Sequence, residues 1–113
     1  MNRTNVIGRI VRDIELKEVG EDRIVVNNTI AVPKVLRSKN GQEDADFIPF
    51  VAWDAAGKLL HEHCKKGDLI GLDGRMTSRT YVDKSAKTHY VVELTVERMT
   101  FLPNIRQADE TNA

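Results

Sequence analysis

The sequence is poor in the residues that usually announce chemistry. Its single cysteine, Cys64, excludes an internal disulfide and fits a reducing compartment. No stretch approaches the roughly 18 consecutive apolar residues of a membrane-spanning helix, and the opening MNRTNVIGRI lacks the apolar segment of a secretory signal. A cytoplasmic protein is expected. There is no GxxxxGK[ST] run to cradle a nucleotide phosphate, so ATP-driven activity is not supported. His61, His63 and Cys64 lie close together, but on a helix the two histidines point to different sides and no CxxC accompanies them. No metal or cofactor is expected. The acids Glu43, Asp44 and Asp46 sit beside a turn, where carboxylates are ordinarily solvated, so the chain does not read as an enzyme.

Charge of one sign is also missing. The 113 residues carry 17 basic and 17 acidic side chains, which alone argues mildly against a polyanionic partner. The distribution is uneven, however. Residues 13–22 hold five acids against Lys17, whereas Lys34, Arg37 and Lys39 cluster with no acid among residues 30–40. Residues 75–89 carry Arg75, Arg79, Lys84 and Lys87 against Asp83. Two basic segments on an otherwise neutral domain allow a polarised surface, and equally allow solvated turns.

What is present is alternation. Residues 5–12 and 23–32 show the two-residue period of half-buried strands, and SKNGQ at 38–42 is a turn leading into a third strand. DAAGKLLHEHCKKG switches to helical spacing, with Asp54 as N-cap, an apolar stripe through Ala56, Leu59, Leu60, His63 and Cys64, and Gly67 as a stop. Gly57 weakens that helix by about 1 kcal/mol relative to alanine. Strands resume at 68–82 and 89–102. The pattern runs through Asp73-Gly74 without turning, so Gly71 or Gly74 is expected to mark a bulge or barrel bend. Tyr90 and Phe101 are expected in or near the core, and residues 104–113 as a mobile tail after a domain of residues 1–103. Three strands, one short helix between the third and fourth, and two more strands give an all-β class. That order is the one of the five-stranded oligonucleotide/oligosaccharide-binding barrel, the OB-fold.

Aromatics are scarce, at one tryptophan, two tyrosines and three phenylalanines, yet DADFIPFVAW at 44–53 gathers Phe47, Phe50 and Trp53. On a strand, Phe47, Val51 and Trp53 share one face and Ile48, Phe50 and Ala52 the other. One set is core. The other is either a second core or a surface that holds something flat. Pro49 lacks an N–H and points to an edge or bulge in this strand.

These pieces taken in order resemble the bacterial and phage single-stranded DNA-binding proteins over residues 1–102. The matching segments are NVIGRIVRDIEL, TIAV, ADFIPFVAWDAAGKLL, KKGDLIGLDGRMTSRTY and YVVELTVERMTFL. The resemblance implies a non-catalytic, nucleoid-associated homo-oligomer, commonly a tetramer, that coats single-stranded DNA without sequence preference in replication, recombination and repair. Carried over by position, stacking falls to Phe47, Trp53 and Tyr81. Apolar contact falls to Val51 and to Leu36, which stands where the family usually has a further aromatic. Arg9, Lys34, Arg37, Lys39, Arg75, Arg79, Lys84 and Lys87 are the candidates for phosphate. The family's acidic, hydrophobic-tipped tail, which recruits replication and repair proteins, has no counterpart in QADETNA. The alternative is a replication-associated interaction module of the same fold, similar to primosome components, with weak DNA binding.

Overall fold

The computed structural model describes residues 1–34 and 44–103. Six strands and one helix follow in order: β1 (Thr4–Ile10), β2 (Lys17–Val19), β3 (Arg23–Pro33), β4 (Ala45–Trp53), α1 (Asp54–His63), β5 (Leu69–Val82) and β6 (Thr88–Phe101). Five of the strands close on themselves. β1 pairs with β5, β5 with β6, β6 with β4, β4 with β3, and β3 returns to β1 at Arg9↔Ala31 and Ile10↔Ile30. Such a ring leaves few backbone groups unpaired and encloses one core. The three-residue β2, inside the acidic stretch where no strand is expected, lies outside the ring against Arg23–Val25 of β3.

The alternation seen in sequence decides what faces inward. Val26 and Ile30 of β3, Phe50 and Ala52 of β4, Ile70 and Leu72 of β5, and Leu94 of β6 are all at most 1% exposed, and Leu60 of α1 plugs the same core. Asn28 also points inward. Its amide donates to the carbonyls of Arg12 and Asp13 and its oxygen accepts from the Arg12 and Thr29 N–H groups, so the buried amide is satisfied while it fixes the chain leaving β1.

Of the two glycines expected to mark a bulge, Gly71 and Gly74, the bulge falls at Gly74. Between Asp73↔Arg98 and Gly74↔Val96 the register slips by one, leaving Glu97 as the extra residue of β6. A Cβ on Gly74 would collide with the Thr95 carbonyl, which explains why no side chain fits there. β6 still meets β4 at Leu94 and Thr95; past Met76↔Leu94, β5 and β6 continue as a two-stranded hairpin to Val82 and Thr88. Pro49 sits next to the residues at which β4 meets β6, since that pairing covers only Phe50 and Val51.

Two local expectations are corrected, and that for Gly57 gains a second reason. The N-cap of α1 is Trp53, not Asp54; Asp54 is the first helical residue, at φ +51°, and its carboxylate is taken by other partners. Gly57 is buried where α1 touches β4, and a Cβ there would lie 2.6 Å from the Ala52 carbonyl oxygen, so its missing side chain is a packing requirement as well as a helix weakness. Tyr90 is 83% exposed and Phe101 41%. Tyr90 has inward parity, but the hairpin has already passed the barrel and there is no core left to face. Phe101 lies against the His63 ring, 5.5 Å between centroids.

Candidate nucleic-acid interface

The cross-strand register assembles the outward face. On β3 and β4, Val25 lies opposite Trp53, Asn27 opposite Val51, Thr29 opposite Pro49 and Ala31 opposite Phe47. Val51 is in turn beside Thr95 of β6, and Thr95, Glu93, Val91 and His89 lie opposite Arg75, Thr77, Arg79 and Tyr81 of β5. Directly opposed residues share a face. Phe47, Val51, Trp53, Arg79 and Tyr81 therefore all lie on one curved outer surface, although they span 35 positions of sequence. In its middle is a groove of about 480 Å3 lined by Val19, Val25, Asn27, Val51, Trp53, Thr77, Arg79, Glu93 and Thr95.

Each ring on this surface has a different setting. Phe47 is 64% exposed, near one end of β4. Trp53 is half-buried at the other end, about 20 Å away at the rise of a strand. The Arg23 guanidinium carbon lies 4.3 Å from the centre of the indole, and Arg23 is held there by Asp54, whose Oδ2 accepts from Nε at 3.2 Å and Nη2 at 2.9 Å. The Asp54 Oδ1 accepts the Ile24 N–H. The Arg23 hydrogen bond, followed by the Ile24 N–H, holds the Asp54 carboxyl below the ordinary aspartate range. A cation over the indole face fixes the plane of the ring. Tyr81, 45% exposed, stacks on His89 at 4.9 Å with 14° between planes.

Val51 is only 4% exposed, so it forms the floor of the groove and not a projecting contact. The cations are largely engaged. Arg79 donates to Glu93 at 2.9 Å, Arg75 lies 3.7 Å from Glu97, Lys34 lies 3.5 Å from Asp46, and Arg9 donates to the Gly67 carbonyl at 3.0 Å. Three of these partners are carboxylates; only the Glu93 side chain is substantially buried, at 9% exposure. Lys84 and Lys87, in the loop between β5 and β6, have no ion pair among the described residues. Leu36, Arg37 and Lys39 lie outside the described residues. Arg23, Glu93 and His89 escaped the sequence reading. Their signal was the pairing register, which places Arg23 diagonal to Trp53 and His89 opposite Tyr81, and neither pairing is written in local sequence.

A closed five-strand ring with a helix between β4 and β5 is that of an OB-fold barrel, and this one carries Phe47, Trp53 and Tyr81 on one outer surface, with Trp53 and Arg79 lining its groove. The sequence profile described as "Single-strand binding protein family" matches residues 1–102. The chain belongs to that family, one of non-catalytic binding proteins. It is 34% identical over 113 residues to the "Single-stranded DNA-binding protein" of Lactiplantibacillus plantarum, covering all of this chain and 56% of that protein. It is 35% identical over 111 residues to the "Single-stranded DNA-binding protein 1" of Clostridium acetobutylicum, covering 96% of this chain and 99% of that one. It is 38% identical over 103 residues to the "Single-stranded DNA-binding protein 2" of the same organism, covering 90% and 77%. The chain thus spans little more than half of the first relative and nearly all of the second.

Proposed function

We propose that this barrel binds single-stranded DNA without sequence preference, protecting it during replication, recombination and repair. Bases stack on Phe47, Trp53 and Tyr81 along the outer groove, Val51 provides its apolar floor, and the basic residues along its rims meet the phosphates. Stacking suits a binder that accepts every sequence, because every base presents a flat face, and each stacked base contributes about 1–3 kcal/mol. The observation that carries this reading is the shared outward face of Phe47, Trp53 and Tyr81: Phe50 and Ala52, of opposite parity on β4, are buried in the core, and the register carries the outer face across β6 to Tyr81. Arg75 and Arg79 lie on that face, but paired to Glu97 and Glu93, so phosphate must compete with carboxylate for them. The loop lysines Lys84 and Lys87 and the half-exposed Arg9 and Lys34 complete the cationic rim.

Assembly into a homo-oligomer, a tetramer of barrels, is part of the proposal. β1 pairs with β3 only at Arg9 and Ile10, which leaves the edge of Thr4–Ile7 without a partner strand among the described residues, and Ile7 on that strand is 58% exposed. An open edge beside an exposed aliphatic side chain favours pairing with a second copy.

Titration with poly-dT tests the function. Emission from Trp53, the single tryptophan, is expected to fall steeply and to saturate. Each phosphate met by a cation adds about 0.7 to the slope of log affinity against log salt. Unchanged emission together with no binding by calorimetry would remove the stacking groove from consideration. Light scattering on the same samples reports the oligomer.

A further inference from the structure

We propose that His89 is itself a nucleic-acid contact, the second ring of a platform begun by Tyr81, and that its charge makes binding at this end of the groove tighten as pH falls. The inference rests on the single-strand binding function proposed above.

Three contacts define the device. The His89 and Tyr81 rings are nearly parallel, 14° apart with centroids at 4.9 Å, which is an offset stack of the kind a base would extend. Behind the stack, the His89 Nε2 lies 2.6 Å from the Asp83 Oδ2. Asp83 is itself fixed, since its Oδ1 accepts the Ser85 N–H at 2.8 Å and the Lys87 N–H at 3.0 Å, and its backbone exchanges hydrogen bonds with Lys87 and Ala86. The loop therefore sets the imidazole plane, and the imidazole sets the phenol plane. The hydrogen bond to His89, then that to Lys87, holds the Asp83 carboxyl below the ordinary aspartate range, so it stays ionised throughout the range in which histidines titrate.

The charges facing His89 are Asp83, Lys84 and Lys87 of the loop and, further along the same face, the Arg79–Glu93 pair beside Tyr81, with the Arg79 guanidinium carbon 5.9 Å from the phenol ring. Arg79 and Glu93 offset one another. When His89 is neutral, the Asp83 carboxylate offsets one of the two loop lysines. When His89 is protonated, the pair is neutral and the loop keeps two lysines for the strand. The change is one positive charge at a half-exposed site. At such exposure an ion contact is expected to change affinity about two- to fivefold per barrel.

The test uses a dT oligonucleotide, because thymine does not titrate between about pH 5.5 and about pH 8 where histidine does. Affinity is read from Trp53 emission at constant ionic strength. Wild type is expected to bind about two- to fivefold tighter at the lower pH, with the salt slope steeper by up to about 0.7. His89→Phe keeps a ring on Tyr81 and removes the ionisable group; whatever its affinity at the higher pH, it is expected to lose most of the tightening toward the lower pH. Asp83→Asn retains the Oδ1 acceptor for the loop and is expected to bind at the higher pH as wild type does at the lower. Calorimetry at several pH values between about 5.5 and about 8, in two buffers of different ionisation heat, is expected to show proton uptake on binding by wild type somewhere in that range and less by His89→Phe. Equal pH dependence in wild type and His89→Phe, or no proton uptake, overturns the role of His89 while leaving the stacking groove intact. Absence of binding at either pH overturns both.

Discussion

Phe47 and Phe50 differ by three positions on one strand, and truncating each to alanine is expected to have opposite consequences. Phe50 is 1% exposed and packed in the core. Removing it opens a cavity, and Phe→Ala in such a site costs about 3–5 kcal/mol of stability. Phe47 is 64% exposed, so only about a third of its ring contributes to burial. Full burial of such a side chain is worth about 1.5–3 kcal/mol, which leaves about 0.5–1 kcal/mol to be lost in Phe47→Ala. Its expected cost lies in binding: one stacked base at about 1–3 kcal/mol corresponds to about a 5- to 150-fold loss of affinity. Urea unfolding followed by Trp53 emission measures the first quantity, and dT titration of the same samples the second. Phe50→Ala should move the urea midpoint far and, while folded, leave affinity near wild type; Phe47→Ala should do the reverse. A Phe47→Ala protein that loses more than about 2 kcal/mol of stability, or binds dT as well as wild type, would refute the assignment of faces on β4.

Three further outcomes follow from the same geometry. Gly57→Ala gains about 1 kcal/mol of helix propensity but sets a methyl group 2.6 Å from the Ala52 carbonyl oxygen, and overpacking of this kind costs about 1–3 kcal/mol; net destabilisation in urea is expected, and a more stable variant would show that α1 shifts freely. Asp54 is held below the ordinary aspartate range when folded, so the unfolded chain takes up its proton first as pH falls; the stability this carboxylate provides is fully present at neutral pH and is lost as pH drops through that range. Asp54→Asn should therefore show a smaller decline of the urea midpoint between about pH 7 and about pH 3 than wild type, and an identical decline would contradict the Arg23 latch. Burial, with Asp68 nearby, pushes the Cys64 thiol up to about 11, so alkylation at pH near 8 is expected to be much slower than for a free thiol and to accelerate in urea; rapid reaction in the folded protein would mean that the end of α1 is open.

The division of β4 into two faces was legible in sequence because a strand's side chains alternate whatever lies beside them; that the Phe50 face is the inner one came from the family resemblance and is seen in its burial. The bulge at Gly74 was legible for a similar reason: a glycine in an unbroken strand pattern marks close approach. Tyr90 was misplaced by the same logic, since parity says which side a residue points to but not whether anything stands there. β2 was missed because three residues in an acidic stretch carry no period. Asp54 has the chemistry of an N-cap, yet Arg23 and the Ile24 N–H, 30 positions away, claimed its carboxylate first.

The chain's own order of residues was enough to determine an all-β barrel interrupted by one helix, and that the rings at 47 and 53 share a face opposite to that of Phe50. Periodicity is a local property, set by backbone geometry, and it survives without knowledge of partners. Only the tertiary structure decided that Arg23 covers Trp53, that His89 backs Tyr81, that Val51 is floor and not summit, and that the arginines of β5 are already paired with acids of β6. Those contacts depend on the register between strands far apart in sequence. Register is fixed by the closure of the whole ring, a property that no single segment contains.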